Sequence, residues 1–142
     1  MSAFSRTRLP LNALGLVDAP YPALVQVDAD RWMLLAAFSY TKDDGTVYTA
    51  PAGMTTDLAS IPRALWAILP PFGSYTGAAV IHDFLYQAQP VTKAEADHVL
   101  AEAMDCAGVA HVQRQAIYDG VKADGQAAWD KHTAELKAAA AA

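Results

Sequence analysis

Ile81-His82-Asp83-Phe84-Leu85-Tyr86 decides the fold. Ile81, Phe84, Leu85 and Ala88 recur at the spacing of one helical face, at about 100° per residue. The pattern predicts a helix over 75–88 with those side chains toward a core. His82, Asp83 and Tyr86 then share the opposite face, where a side-by-side His and Asp is the most chemically loaded arrangement in the chain.

Moving outward, Gln89-Pro90-Val91 is a connector and Thr92 with Glu95 fits a capping box, opening a second helix over 93–107. Ala96, Val99, Leu100, Ala103 and Ala107 are its core positions, and Gly108 is its stop. So short a connector makes the two helices antiparallel neighbours. Counting back from it sets residues 97–99 opposite 82, so Asp97 becomes the candidate partner of His82. A last helix is expected over 110–135, interrupted or closely packed at Gly120 and Gly125, with Ile117, Val121, Ala128 and Trp129 as its apolar stripe. The Ala-rich tail, 136–142, is expected to fray.

Upstream of the quoted stretch, Ile61-Pro62 opens a short helix over 62–69 with Ser60 placed to cap it. Before it lies a polar loop, 55–60. Residues 23–27, 31–40 and a run from Val47 read as three strands of an antiparallel meander, the last two joined at Asp43-Asp44-Gly45. Pro10, Pro20 and Pro22 make 1–22 an irregular arm. The expected fold is therefore α+β: a small N-terminal antiparallel meander packed against a C-terminal bundle of three to four helices, as one domain over 23–135.

A chain of 142 residues, 54% apolar, suits one core. Its net charge of −5, without a Lys/Arg cluster, argues against a nucleic-acid binder. A single cysteine, Cys106, excludes an internal disulfide and a multi-Cys zinc site, and it reads as a small buried residue. No apolar run is long enough for a membrane span, and no signal-peptide h-region is seen, so a soluble protein made in the cytoplasm is expected.

His82 and Asp83 cannot act on each other as base and orienter, because adjacent helical side chains diverge by about 100°. Each needs a partner from elsewhere. Asp97 can hold the His82 ring in one tautomer or share a metal with it; the plainer reading is a His–Asp pair that fixes the helical hairpin. Asp57, in the polar loop, joins His82 and Asp97 as a catalytic candidate. Thr56, Ser60 and Tyr86 are candidates to hold a substrate, although Asp57 and Ser60 are equally suited to capping the helix at 62. His82, Asp83 and Asp57 offer nitrogen and oxygen ligands for a divalent metal, without H-E-x-x-H or a comparable spacing.

The run Pro51-Ala52-Gly53-Met54-Thr55-Thr56-Asp57-Leu58-Ala59-Ser60-Ile61-Pro62, then His82-Asp83-Phe84-Leu85-Tyr86, then Ala96-Asp97 and Ala103-Met104, resembles the phage and prophage domain-of-unknown-function family 1353. The likeness covers about residues 45–130. It implies a tailed-phage or prophage origin and marks Asp57, His82, Asp83 and Asp97 as positions to watch. It carries no settled activity or cofactor. Locally, Phe72-Gly73-Ser74-Tyr75 with His82-Asp83-Phe84-Leu85-Tyr86 looks like the glycine loop and H-D-x-x-Y helix of secreted phospholipases A2, though that family's cysteines and full calcium loop are absent here. In that family the His is a base, the adjacent Asp binds calcium, and an Asp from the facing helix orients the His.

Two functions follow as expectations. One is a virion- or tail-associated component, or an assembly factor, with phage structural proteins as partners, made in the host cytoplasm and carried into the particle. The other is a phage hydrolase of ester or amide bonds, with His82 as general base and Asp97 as orienter, assisted by a divalent metal or by substrate contacts from Asp57 or Asp83.

Overall fold

Pairing along the chain begins from tight turns. The computed structural model describes residues 2–10, 16–19, 21–29, 31–57 and 75–142. Among these, the strands are β1 (Ala3–Phe4), β2 (Thr7–Pro10), β3 (Leu16–Ala19), β4 (Leu24–Gln26), β5 (Trp32–Leu34), β6 (Phe38–Thr41), β7 (Val47–Ala50) and β8 (Thr55–Thr56). The helices are α1 (Thr76–Ala88), α2 (Lys93–Cys106), α3 (His111–Asp124) and α4 (Gln126–Ala141). The fold is α+β, with small antiparallel sheets at the N-terminal end and helices at the C-terminal end. None of the described helices is long and apolar enough to cross a membrane.

The turn at Asp43-Asp44-Gly45 joins β6 to β7 as expected. Gly45 takes φ 89°, which a side chain would resist, and Lys42 N–H closes the turn on the Thr46 carbonyl at 2.8 Å. The meander is not continuous, however. The expected strand over 31–40 bends at Leu35-Ala36, so that β5 and β6 enter different sheets. The Leu34 carbonyl accepts from Gly53 N–H at 2.7 Å and Leu35 N–H donates to the Ala23 carbonyl at 2.9 Å, which ties this corner to β4 and to the segment before β8. One sheet has the order β1-β6-β7, another β4-β5-β8, and β2 pairs with β3. The arm over 1–22, read from sequence as irregular, thus contributes three strands. Cross-chain pairing supplies the hydrogen bonds that a local reading cannot anticipate. Thr55 and Thr56, read as loop, pair with Met33 and Trp32. The expected helix over 62–69, with Ser60 and Trp66, lies outside the described residues.

The helical hairpin follows the sequence closely. The Thr92 hydroxyl accepts from Glu95 N–H at 3.2 Å, and Gly108 past the end of α2 takes φ 83°. Ala96, Val99, Leu100 and Ala103 are fully buried. Helix α1 departs from a two-faced helix. It packs on α2, α4, β6 and β7, and every residue from Thr76 to Asp83 is buried, so its polar side chains are enclosed too. Phe84 is only half-buried and Ala88 is exposed. The single expected helix over 110–135 is two helices, parted at Gly125, and the Ala-rich tail is helical through Ala141. Cys106 is exposed rather than buried.

Candidate functional site

Asp97 stands on α2 where the connector count sets it, facing α1. His82 Nε2 lies 2.9 Å from Asp97 Oδ1. Tyr86, one turn beyond His82, donates its hydroxyl hydrogen to the same oxygen at 2.7 Å. Lys93, one turn before Asp97 on α2, donates to Oδ2 at 2.9 Å. Each of these residues owes its position to helical periodicity, which sets i and i+4 on one face.

The rest of the molecule closes around this carboxylate. Lys93 Nζ also donates to the Val121 carbonyl at 3.1 Å, in the last turn of α3, an oxygen that accepts from Gly125 N–H at 2.8 Å as well and lies where the helix dipole favours a cation. The Tyr86 ring leans on the imidazole at a 4.3 Å centroid distance and meets Trp129, from α4, in a T-shaped contact at 5.1 Å. Gly125 permits that approach: a Cβ there would lie 2.7 Å from the Tyr86 hydroxyl and 2.5 Å from the Val121 carbonyl. His82 and Asp97 are each 1% exposed and Tyr86 is fully buried.

Burial by itself would raise the Asp97 carboxyl, but the hydrogen bonds from His82, Lys93 and Tyr86 outweigh it and hold the group below its ordinary 3.8. The Tyr86 phenol moves the other way, raised first by burial and then by its bond to Asp97, so it remains a donor. An ionised carboxylate can only accept. His82 Nε2 therefore carries the hydrogen in this bond, and a neutral ring has its lone pair on Nδ1. Among the described residues no group hydrogen-bonds Nδ1.

Asp83 turns elsewhere. It is 4% exposed and accepts a hydrogen bond from the Thr56 hydroxyl of β8. Gln87, one turn on, donates to the Thr55 carbonyl at 2.8 Å. Thr55, Thr56, Asp57, Asp83 and Gln87 are among the residues lining a cavity of about 380 Å³ whose described lining does not include His82. The polar residues read as one centre thus divide into two groups: His82, Tyr86 and Asp97 inside the helical hairpin, and Thr56, Asp57 and Asp83 at the cavity. Ser60 lies outside the described residues. Among those described, no three His, Cys, Asp or Glu side chains are grouped to hold a metal ion, so His82, Asp83 and Asp57 do not form a joint ligand set.

Lys93 is the participant the sequence reading missed. Its i,i+4 spacing to Asp97 was the available signal. Gly125 and Trp129 are legible as packing positions, but not as the walls of this network.

The profile of the family described as Protein of unknown function (DUF1353) matches residues 32–121. "Uncharacterized protein y4jT" of Sinorhizobium fredii (strain NBRC 101917 / NGR234) is 31% identical over 113 residues, which cover 76% of this chain and 29% of that protein. The chain therefore corresponds to under a third of that relative's length. No solved structure matches the chain at significant similarity.

Proposed function

The chain belongs to the DUF1353 family, and from that premise we propose that it is a non-catalytic component of a tailed phage or prophage, virion- or tail-associated or acting in assembly, in which the His82–Asp97 cluster braces the helices. One observation carries this reading. Asp97 is already engaged by three donors, on both oxygens, where His82 and Asp97 are each 1% exposed. Such a group has little capacity left for a substrate, while it links α1, α2 and α3. Buried polar networks of this kind define one packing rather than add net stability over an apolar core. The phage assignment draws on the sequence motifs. Mass spectrometry of purified particles and assembly intermediates from a lysogen encoding the chain is the test. The protein is expected in one or the other, and its absence from both would overturn the assignment.

A second reading, a hydrolase of ester or amide bonds, is favoured by the tautomer. With Nε2–H held on Asp97, the Nδ1 lone pair is the one a general base uses to take a proton from water. Asp57, Asp83 and Thr56, at the neighbouring cavity, would hold the substrate or a divalent ion. Purified protein screened on lipid, peptidoglycan and ester substrates tests this. Any activity found should fall by at least about a hundredfold in His82→Gln; an activity indifferent to that change ends the reading.

A further inference from the structure

β2 and β3 form a two-stranded sheet of their own, and among the described elements they pack chiefly on each other. A hairpin of two strands has no core and is only marginally stable by itself. This arm springs from a fixed base, since β1 pairs with β6 before it and β4 with β5 after it. The register sets Leu9 opposite Val17 and Thr7 opposite Ala19 on one face of the arm, and Arg8 opposite Asp18 on the other. Pro20 and Pro22 favour an extended linker to β4, which works against folding the arm back onto its own chain.

The β4-β5-β8 sheet lacks a cover on one side. Leu24, opposite Leu34, faces the core, so Val25, opposite Met33, faces outward. Val27 N–H donates to the Arg31 carbonyl and Leu35 N–H to the Ala23 carbonyl, which sets Val27 and Leu35 on the same outer face as Val25. Val25, Val27 and Leu35 are exposed, as is Tyr21 in the linker, and these are four of the seven large apolar side chains exposed among the described residues. The solvated face of an antiparallel sheet is ordinarily polar, and apolar residues gathered there mark an interaction surface.

We propose that the β2–β3 arm of one copy of this chain packs its Leu9–Val17 face on the Val25–Leu35 face of a second copy, and that exchange in both directions closes a two-fold dimer. Every copy carries one uncovered arm and one uncovered face, in equal number, so a second copy satisfies both at once, sheet on sheet. Residues 7–19 and 21–35 together supply the roughly 20–30 residues a side that a stable interface uses. The Arg8–Asp18 side of the arm stays in solvent. The proposal stands whether or not the chain is a phage component.

Light scattering on the purified full chain tests it. At least twice the monomer mass is expected, with Leu35→Asp on the face and Leu9→Asp on the arm each returning the chain to monomer mass. Mixed in equal amounts, the two variants should form a heterodimer, because one retains its face and the other its arm. Leu35 is exposed, so its variant should fold, and circular dichroism checks both. Methyl NMR of the wild type on dilution reads the same contact without a substitution: Leu9 and Val17 should shift together with Val25 and Leu35. A monomeric wild type would overturn the proposal, as would a mass that neither substitution lowers. Loss of association without recovery on mixing, or dilution shifts on the face alone, would show the faces meeting each other and overturn it too.

Discussion

The Tyr86 hydroxyl and His82 Nε2 meet on a single atom, Asp97 Oδ1, at 2.7 and 2.9 Å. Two residues one turn apart on α1 thus share one acceptor on α2, and neither can be removed without changing the other's bond. Tyr86→Phe keeps the ring against Trp129 but withdraws a donor from a buried carboxylate. The expected loss is about 1.5–3 kcal/mol of unfolding free energy, the range for hydrogen bonds to charged groups. Urea denaturation measures it. Combined with His82→Gln, the effects should depart from additivity by at least about 0.5 kcal/mol, as shared partners do.

Acid should unfold the protein partly through Asp97. Its folded carboxyl lies below the ordinary 3.8 because three hydrogen bonds outweigh the cost of burial. Between the folded and unfolded values the unfolded chain binds more protons, so stability decreases there as pH is lowered. The Asp97 contribution is complete well above 3.8 and is lost as pH drops through the folded value. Denaturation midpoints recorded from pH 7 downward should fall more steeply for the wild type than for Asp97→Asn. Parallel curves would refute the link.

Lys93 connects Asp97 to the end of α3 while its own side chain is 14% exposed. Lys93→Met keeps most of the side-chain volume and deletes the charge. The carboxylate then lacks its only ammonium partner among the described residues, and the Val121 carbonyl loses a donor. A cost of about 3 kcal/mol is expected, at the low end for breaking a buried ion pair because Lys93 sits at the rim. Thermal unfolding by calorimetry is the measurement.

Gly125 sits at φ −79°, a conformation open to any residue. On backbone entropy alone Gly125→Ala would stabilise by about 0.4–1 kcal/mol. The new methyl, however, would lie 2.5 Å from the Val121 carbonyl and 2.7 Å from the Tyr86 hydroxyl. Overpacking of that severity costs about 1–3 kcal/mol, so the clash decides the sign. A lowered melting temperature is expected, together with a disturbed Tyr86–Asp97 contact visible in aromatic NMR shifts; a variant more stable than wild type would contradict it.

Thr92→Ala removes the side chain that caps α2 at 3.2 Å. The expected loss is about 1 kcal/mol, read from the denaturant midpoint. Thr92→Ser should restore most of it, since the hydroxyl alone makes the bond.

The chain's own order of residues determined the helical hairpin and the facing of His82 and Asp97. Periodicity, an N-capping threonine and a short connector are local quantities, and they carry the register of one helix against the next. The turn at Gly45 was legible for the same reason. Tertiary structure alone decided that β5 and β6 part into different sheets, that strands from the first nineteen residues pair at all, and that Asp57 belongs with Asp83 and not with His82. Strand partners are chosen by hydrogen-bonding groups far apart in the chain. The enclosure of α1 over Thr76 to Asp83 depends on what packs against it, and neither leaves a mark in any short window of residues.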